Sequence, residues 1–102
     1  ARIDWHEPAA INARKVRAFK PAPGASTTLR GQTLKIWAAT ALEGAGDEAG
    51  IVRAADASGI IVDCGVGALR ITELQRAGGK RVDAGAFLAG CRIEAGERLG
   101  SD

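Results

Sequence analysis

A chain of 102 residues, 46% apolar and 25% charged with a formal net charge of +2, has the make-up of one globular domain that buries its core without metal or disulfide staples, not of a disordered segment. No apolar run approaches the roughly 20 residues of a membrane helix, and Ala1-Arg2-Ile3-Asp4-Trp5 has no secretory pattern, so a soluble, cytoplasmic protein with no membrane partner is expected. Cys64 and Cys91 form no Cys-x-x-Cys pair and, with the single His6, cannot complete a four-ligand zinc site, so both thiols read as reduced and structural.

In chain order, Pro8 suits the first turn of a helix and the Lys20-Pro21 bond stops one, which predicts a helix from Pro8 to Phe19. At 100° per residue Ile11, Val16 and Phe19 share an apolar arc, with Arg14, Arg17 and Lys20 on the other side and Lys15 snorkelling from the edge. After the Pro21–Gly24 turn, Ser26–Leu29 and Thr33–Thr40 read as a hairpin around Arg30-Gly31-Gln32. The Gly- and acid-rich stretch Glu43–Gly50 reads as an exposed loop.

Three short strands follow, at Ile51–Ala55, Ile60–Cys64 and Ala68–Leu74, separated by Asp56-Ala57-Ser58-Gly59 and Gly65-Val66-Gly67. Leu69 and Ile71 alternate with Arg70 and Thr72; Leu74 breaks the alternation, which points to a bulge. Asp83 caps a last short helix ending near Gly90, with Phe87 and Leu88 inward. Trp37 and Phe19 are assigned to the core, and Asp4, Glu7 and Asp63 to surface pairing with nearby cations. Charge is uneven: +5 up to Leu42 and −3 beyond it, which hints at a basic face toward an anionic partner.

The string Val16-Arg-Ala-Phe-Lys-Pro-Ala-Pro-Gly-Ala25 with Leu34-Lys35-Ile36-Trp37 resembles the carboxy-terminal domain of methionyl-tRNA formyltransferases. The resemblance spans nearly the whole chain, through Ile3-Asp4-Trp5, Gly50-Ile51, Gly59–Val62, Cys64–Leu69, Leu74-Gln75, Gly78–Arg81 and Phe87–Gly90. It implies a mainly β fold: a small five- to six-stranded Greek-key barrel of the oligonucleotide-binding type, with an N-terminal helix and a short C-terminal helix, forming a single domain over residues 1–102.

Such enzymes transfer formyl from 10-formyltetrahydrofolate to the methionine of initiator tRNA. Their catalytic residues belong to a preceding Rossmann-like domain that does not appear in this chain. The resemblance therefore implies a non-catalytic domain with no cofactor of its own, whose partners are initiator tRNA and that N-terminal catalytic domain. His6 matches no catalytic position.

Phosphate contact is expected of Arg14, Arg17 and Lys20, then Arg30, Lys35, Lys80, Arg81 and Arg92. With four aromatic residues read as core, the chain fits charge-based binding of folded tRNA better than stacking on a single strand. Two alternatives remain: a structural barrel in a 10-formyltetrahydrofolate dehydrogenase or nucleotide-sugar formyltransferase, and a scaffold without any nucleic-acid role.

Overall fold

Prolines and glycines mark most of the boundaries in the computed structural model, which describes residues 1–44, 46 and 48–100. Helix α1 (Ala9–Ala18) starts after Pro8 and closes on Phe19, whose N–H donates to the Lys15 carbonyl. Strands β1 (Ala25–Leu29) and β2 (Gln32–Leu42) are joined by Arg30-Gly31, both left-handed at φ 51° and 80°, the conformation that tight hairpins favour because its twist matches that of the strands. Strands β3 (Val52–Asp56), β4 (Gly59–Asp63), β5 (Ala68–Arg76) and β6 (Arg81–Asp83) follow. Helix α2 (Ala84–Gly90) is capped by Asp83, whose carboxylate accepts from the Ala86 N–H at 2.8 Å.

All six strands pair antiparallel in the order β1-β2-β5-β4-β3, with β6 on β5. Strand β4 occupies one edge of β5 along Ala68–Ile71 and β6 takes up the pairing along Glu73–Gln75. The β3-β4-β5 meander with β2 returning beside β5 is a Greek key. The two outer strands are then joined by the end of the chain. Leu99 pairs with Leu29 and Arg98 with Ile51, while N–H groups of Leu99 and Gly100 donate to the carbonyls of Gly50 at 2.7 Å and Thr28 at 2.9 Å. Residues 96–100 thus form a strap that covers the Thr28–Leu29 end of β1 and the Val52 end of β3, while Ala1–Ile3 pair with Ser26 of β1, shortening the open edges that are the usual liability of a sheet.

Inside lie Ile36, Val52, Ile60, Val62, Leu69, Ile71 and Leu74, closed by Val16 of α1, Phe87 of α2, and Trp5, Ile93 and Leu99. Trp5 donates its indole N–H to Thr27 Oγ1 at 2.9 Å, satisfying both buried polar groups.

The predicted elements are present, and the strands run one to two residues longer or shifted. The bulge lies where β2 meets β5: the register shifts on both sides of Ala38, leaving Trp37 and Thr72 without partners, so Ile71 and Leu74 both face inward. Part of the Glu43–Gly50 loop, Ala45 and Asp47, lies outside the described residues.

Three burial expectations are corrected. Helix α1 buries Ala9, Asn12, Ala13 and Val16; this small-residue face seats it close to the barrel and turns Phe19 out to 37% exposure. Trp37 is half-buried on the outer wall because it shares the Lys35 face of β2, opposite the buried Leu34 and Ile36. Asp63 does pair with a cation, Arg53 at 2.7 Å, but is itself buried.

Candidate nucleic-acid interface

Helix α1 lies along β2 in the opposite sense. Its first turn meets the barrel where the Ala9 N–H donates to the Val66 carbonyl at 2.8 Å. Its far end is folded back by the Gly24 N–H, which donates to the Phe19 carbonyl at 2.9 Å. Gly24 has φ +84°, and a Cβ there would lie 3.2 Å from the Trp37 ring, so glycine lets the turn sit flat on the indole. Arg14 and Arg17 are exposed on the same helix flank as Ala10, which faces Ala41 and Leu42 of β2. Lys20 is exposed in the turn beside Trp37.

The Trp37 ring organises the next part of the wall. Lys35 Nζ and the Arg81 guanidinium stand 5.6 and 5.2 Å from its centroid, within cation–π range. Its indole N–H donates to Gln75 Oε1 at 2.8 Å, and Gln75 Nε2 donates to the Gly79 carbonyl at 2.9 Å. Lys80 is exposed in the β5–β6 hairpin. Of the expected contact residues, Lys35 and Arg81 are thus brought together on one ring, and Arg14, Arg17, Lys20 and Lys80 are exposed.

Ion pairing divides the cations into two groups. Among the described residues Arg14, Arg17, Lys20, Lys35, Arg76 and Lys80 have no carboxylate within ion-pair distance; Arg81 pairs with Glu73 at 2.7 Å. Other cations are paired, Lys15 with Glu7, Arg53 with Asp63 and Arg98 with Glu48, whereas Arg70 of β5 has no carboxylate within ion-pair distance among the described residues. The structure places two further expected contact residues in the paired group. Arg30 holds Glu97 through two nitrogens and donates to the Arg92 carbonyl at 2.7 Å. Arg92 pairs with Glu94 at 3.0 Å.

Hydrogen bonding to Glu97 raises the Arg30 pKa. Glu97 is held below its ordinary value first by the Glu94 backbone N–H and then by Arg30. Both residues secure the strap. Sequence reasoning passed over Arg76, for which the only signal is a basic residue flanking an Ala-Gly-Gly turn, and Gln75, whose role depends on tertiary contacts.

A cleft lies between the start of α1, the end of β2 and the 64–67 turn, beside Val66, which is 68% exposed. It offers little chemistry. Burial pushes the Cys64 thiol upward, against the opposing Asn12 hydrogen bond, away from the reactive thiolate. His6 is exposed, with Asp4 at 3.5 Å, and among the described residues it hydrogen-bonds to neither cysteine. No described group of three or more His, Cys, Asp or Glu side chains could hold a metal, and no described helix is long and apolar enough to cross a membrane.

A family model described as "Formyl transferase, C-terminal domain" matches residues 1–92. Methionyl-tRNA formyltransferase of Burkholderia thailandensis is 52% identical over 100 residues, covering 97% of this chain and 30% of that protein. The Burkholderia multivorans enzyme is likewise 52% identical over 97% of this chain, and the chain covers 31% of it. The chain thus spans about a third of the length of the curated relatives it matches. Among solved structures, HypX from Aquifex aeolicus in complex with tetrahydrofolic acid superposes with a TM-score of 0.70 at 24% identity, over 85% of this chain and 16% of that one. That likeness speaks to the fold alone.

Proposed function

The chain belongs to the formyl transferase C-terminal domain family, and on that premise we propose that it is the tRNA-holding domain of a methionyl-tRNA formyltransferase acting in translation initiation in the cytoplasm. In the whole enzyme a preceding catalytic domain transfers formyl from 10-formyltetrahydrofolate to the methionine amino group on initiator tRNA. This domain holds the RNA by its backbone and is inactive alone. The observation that carries the reading is the charge left unpaired: among the described residues Arg14, Arg17, Lys20, Lys35, Arg76 and Lys80 have no carboxylate within ion-pair distance, and Lys35 and Arg81 gather on the Trp37 ring. Phosphates neutralised there release condensed counterions, so affinity is gained without reading bases.

Filter binding of the chain to initiator tRNA across a salt series tests this. Affinity should fall steeply with salt, and Arg17→Ala should flatten the logarithmic slope by roughly one unit. Absent or salt-insensitive binding would overturn the reading. A formyl-transfer assay on this chain should show no turnover. A second reading, a barrel that only supports the active site of another formyltransferase, is favoured by the apolar cleft at Val66. It predicts weak RNA binding indifferent to Arg17.

A further inference from the structure

The β5–β6 hairpin carries a feature not expected of a simple connection. Its residues Arg76 to Lys80 are all exposed, and its turn closes with the Gly79 N–H donating to the Arg76 carbonyl at 2.9 Å. Gly78 takes φ +76°, and nothing lies within 4 Å of where its Cβ would be. The tip, Ala77-Gly78-Gly79, is therefore slim, with backbone rather than side chains outermost. Arg76 and Lys80 flank it, and neither has a carboxylate partner among the described residues. Two unneutralised cations on one short turn repel each other, which an anion seated between them would relieve.

The hairpin is also held in place. Gln75 accepts from the Trp37 indole at 2.8 Å and donates to the Gly79 carbonyl at 2.9 Å, so the turn is tied to the same ring that carries Lys35 and Arg81. A groove of about 210 Å³ runs beside it, lined by Thr33, Lys35, Gln75, Arg76, Ala77 and Gly78.

We infer that the Arg76–Lys80 hairpin is a backbone-reading finger that lies against neighbouring phosphodiesters of the bound RNA, with Arg76 and Lys80 as contacts and the side-chain-poor tip allowing close approach. A glycine where another backbone comes near is the usual signature of such an approach. The inference rests on the RNA-holding reading above and adds Arg76 to the residues that carry it.

Salt-dependent binding of initiator tRNA to Arg76→Gln, Lys80→Gln, Ala77→Glu and Arg98→Gln separates the possibilities, with thermal melts confirming that each variant is folded. Arg76→Gln and Lys80→Gln should each flatten the slope by roughly 0.7–0.9, so the advantage of wild type should shrink by about threefold between about 50 and 200 mM salt. Ala77→Glu should weaken binding at every salt concentration, and Arg98→Gln, already engaged with Glu48, should match wild type. A wild-type slope for Arg76→Gln together with wild-type affinity for Ala77→Glu, with Arg17→Ala still impaired, would overturn the finger alone. A wild-type chain that binds no tRNA would overturn both this inference and the function it rests on.

Discussion

Trp37 leaves the core because strand alternation puts it on the Lys35 face of β2, opposite the buried Leu34 and Ile36. Once on the wall, the indole orients Lys35, Arg81 and Gln75 instead of filling volume. The alternation Leu34-Lys35-Ile36-Trp37 carries that orientation; the company the ring keeps is not legible, since Arg81 and Gln75 reach it from other strands. Pairing of charge was equally illegible: Arg30 and Arg17 look alike in the sequence, but Glu97 reaches Arg30.

Glu97 gives this pairing a pH signature. Its folded pKa is depressed from 4.5, so its stabilisation is present above the unfolded value and lost as pH falls through the lower folded one. Glu97→Gln should lower the melting temperature near pH 7 and narrow its drop toward about pH 3, as thermal melts across pH would register. A variant with the wild-type acid profile would remove Glu97 from the strap's account.

Among the elements, the helices and hairpins were legible because local chemistry fixes them: Pro8 and Pro21 frame α1, Asp83 caps α2, and glycines supply the turns. The strap was not, because residues 93–100 carry no apolar period and are held by partners from β1 and β3. Leu99 is buried, so Leu99→Ala should cost about 2–5 kcal/mol in chemical denaturation, and a loss near zero would mean the strap is ornamental. Gly65 is similarly constrained, since a Cβ there would fall 1.9 Å from the His6 carbonyl oxygen. Gly65→Ala should destabilise by at least about 1–3 kcal/mol, the range for overpacking.

For the whole molecule the net charge of +2 is a poor guide, because acidic side chains neutralise some cations and leave others unpaired. Arg17→Gln and Arg92→Gln remove the same formal charge. The first should weaken tRNA binding while the second, already paired with Glu94 at 3.0 Å, should leave it nearly unchanged; equal losses would show that only total charge matters.

The strap also bears on how the molecule reaches this state. Its contacts, Leu29 with Leu99 and Ile51 with Arg98, link positions distant along the polypeptide, and such closures are slow because chain entropy is lost before any contact rewards it. Until they form, β1 and β3 offer unsatisfied amides to any neighbour. Refolding chains at high concentration thus choose between sealing themselves and pairing with one another, and dilution favours the first.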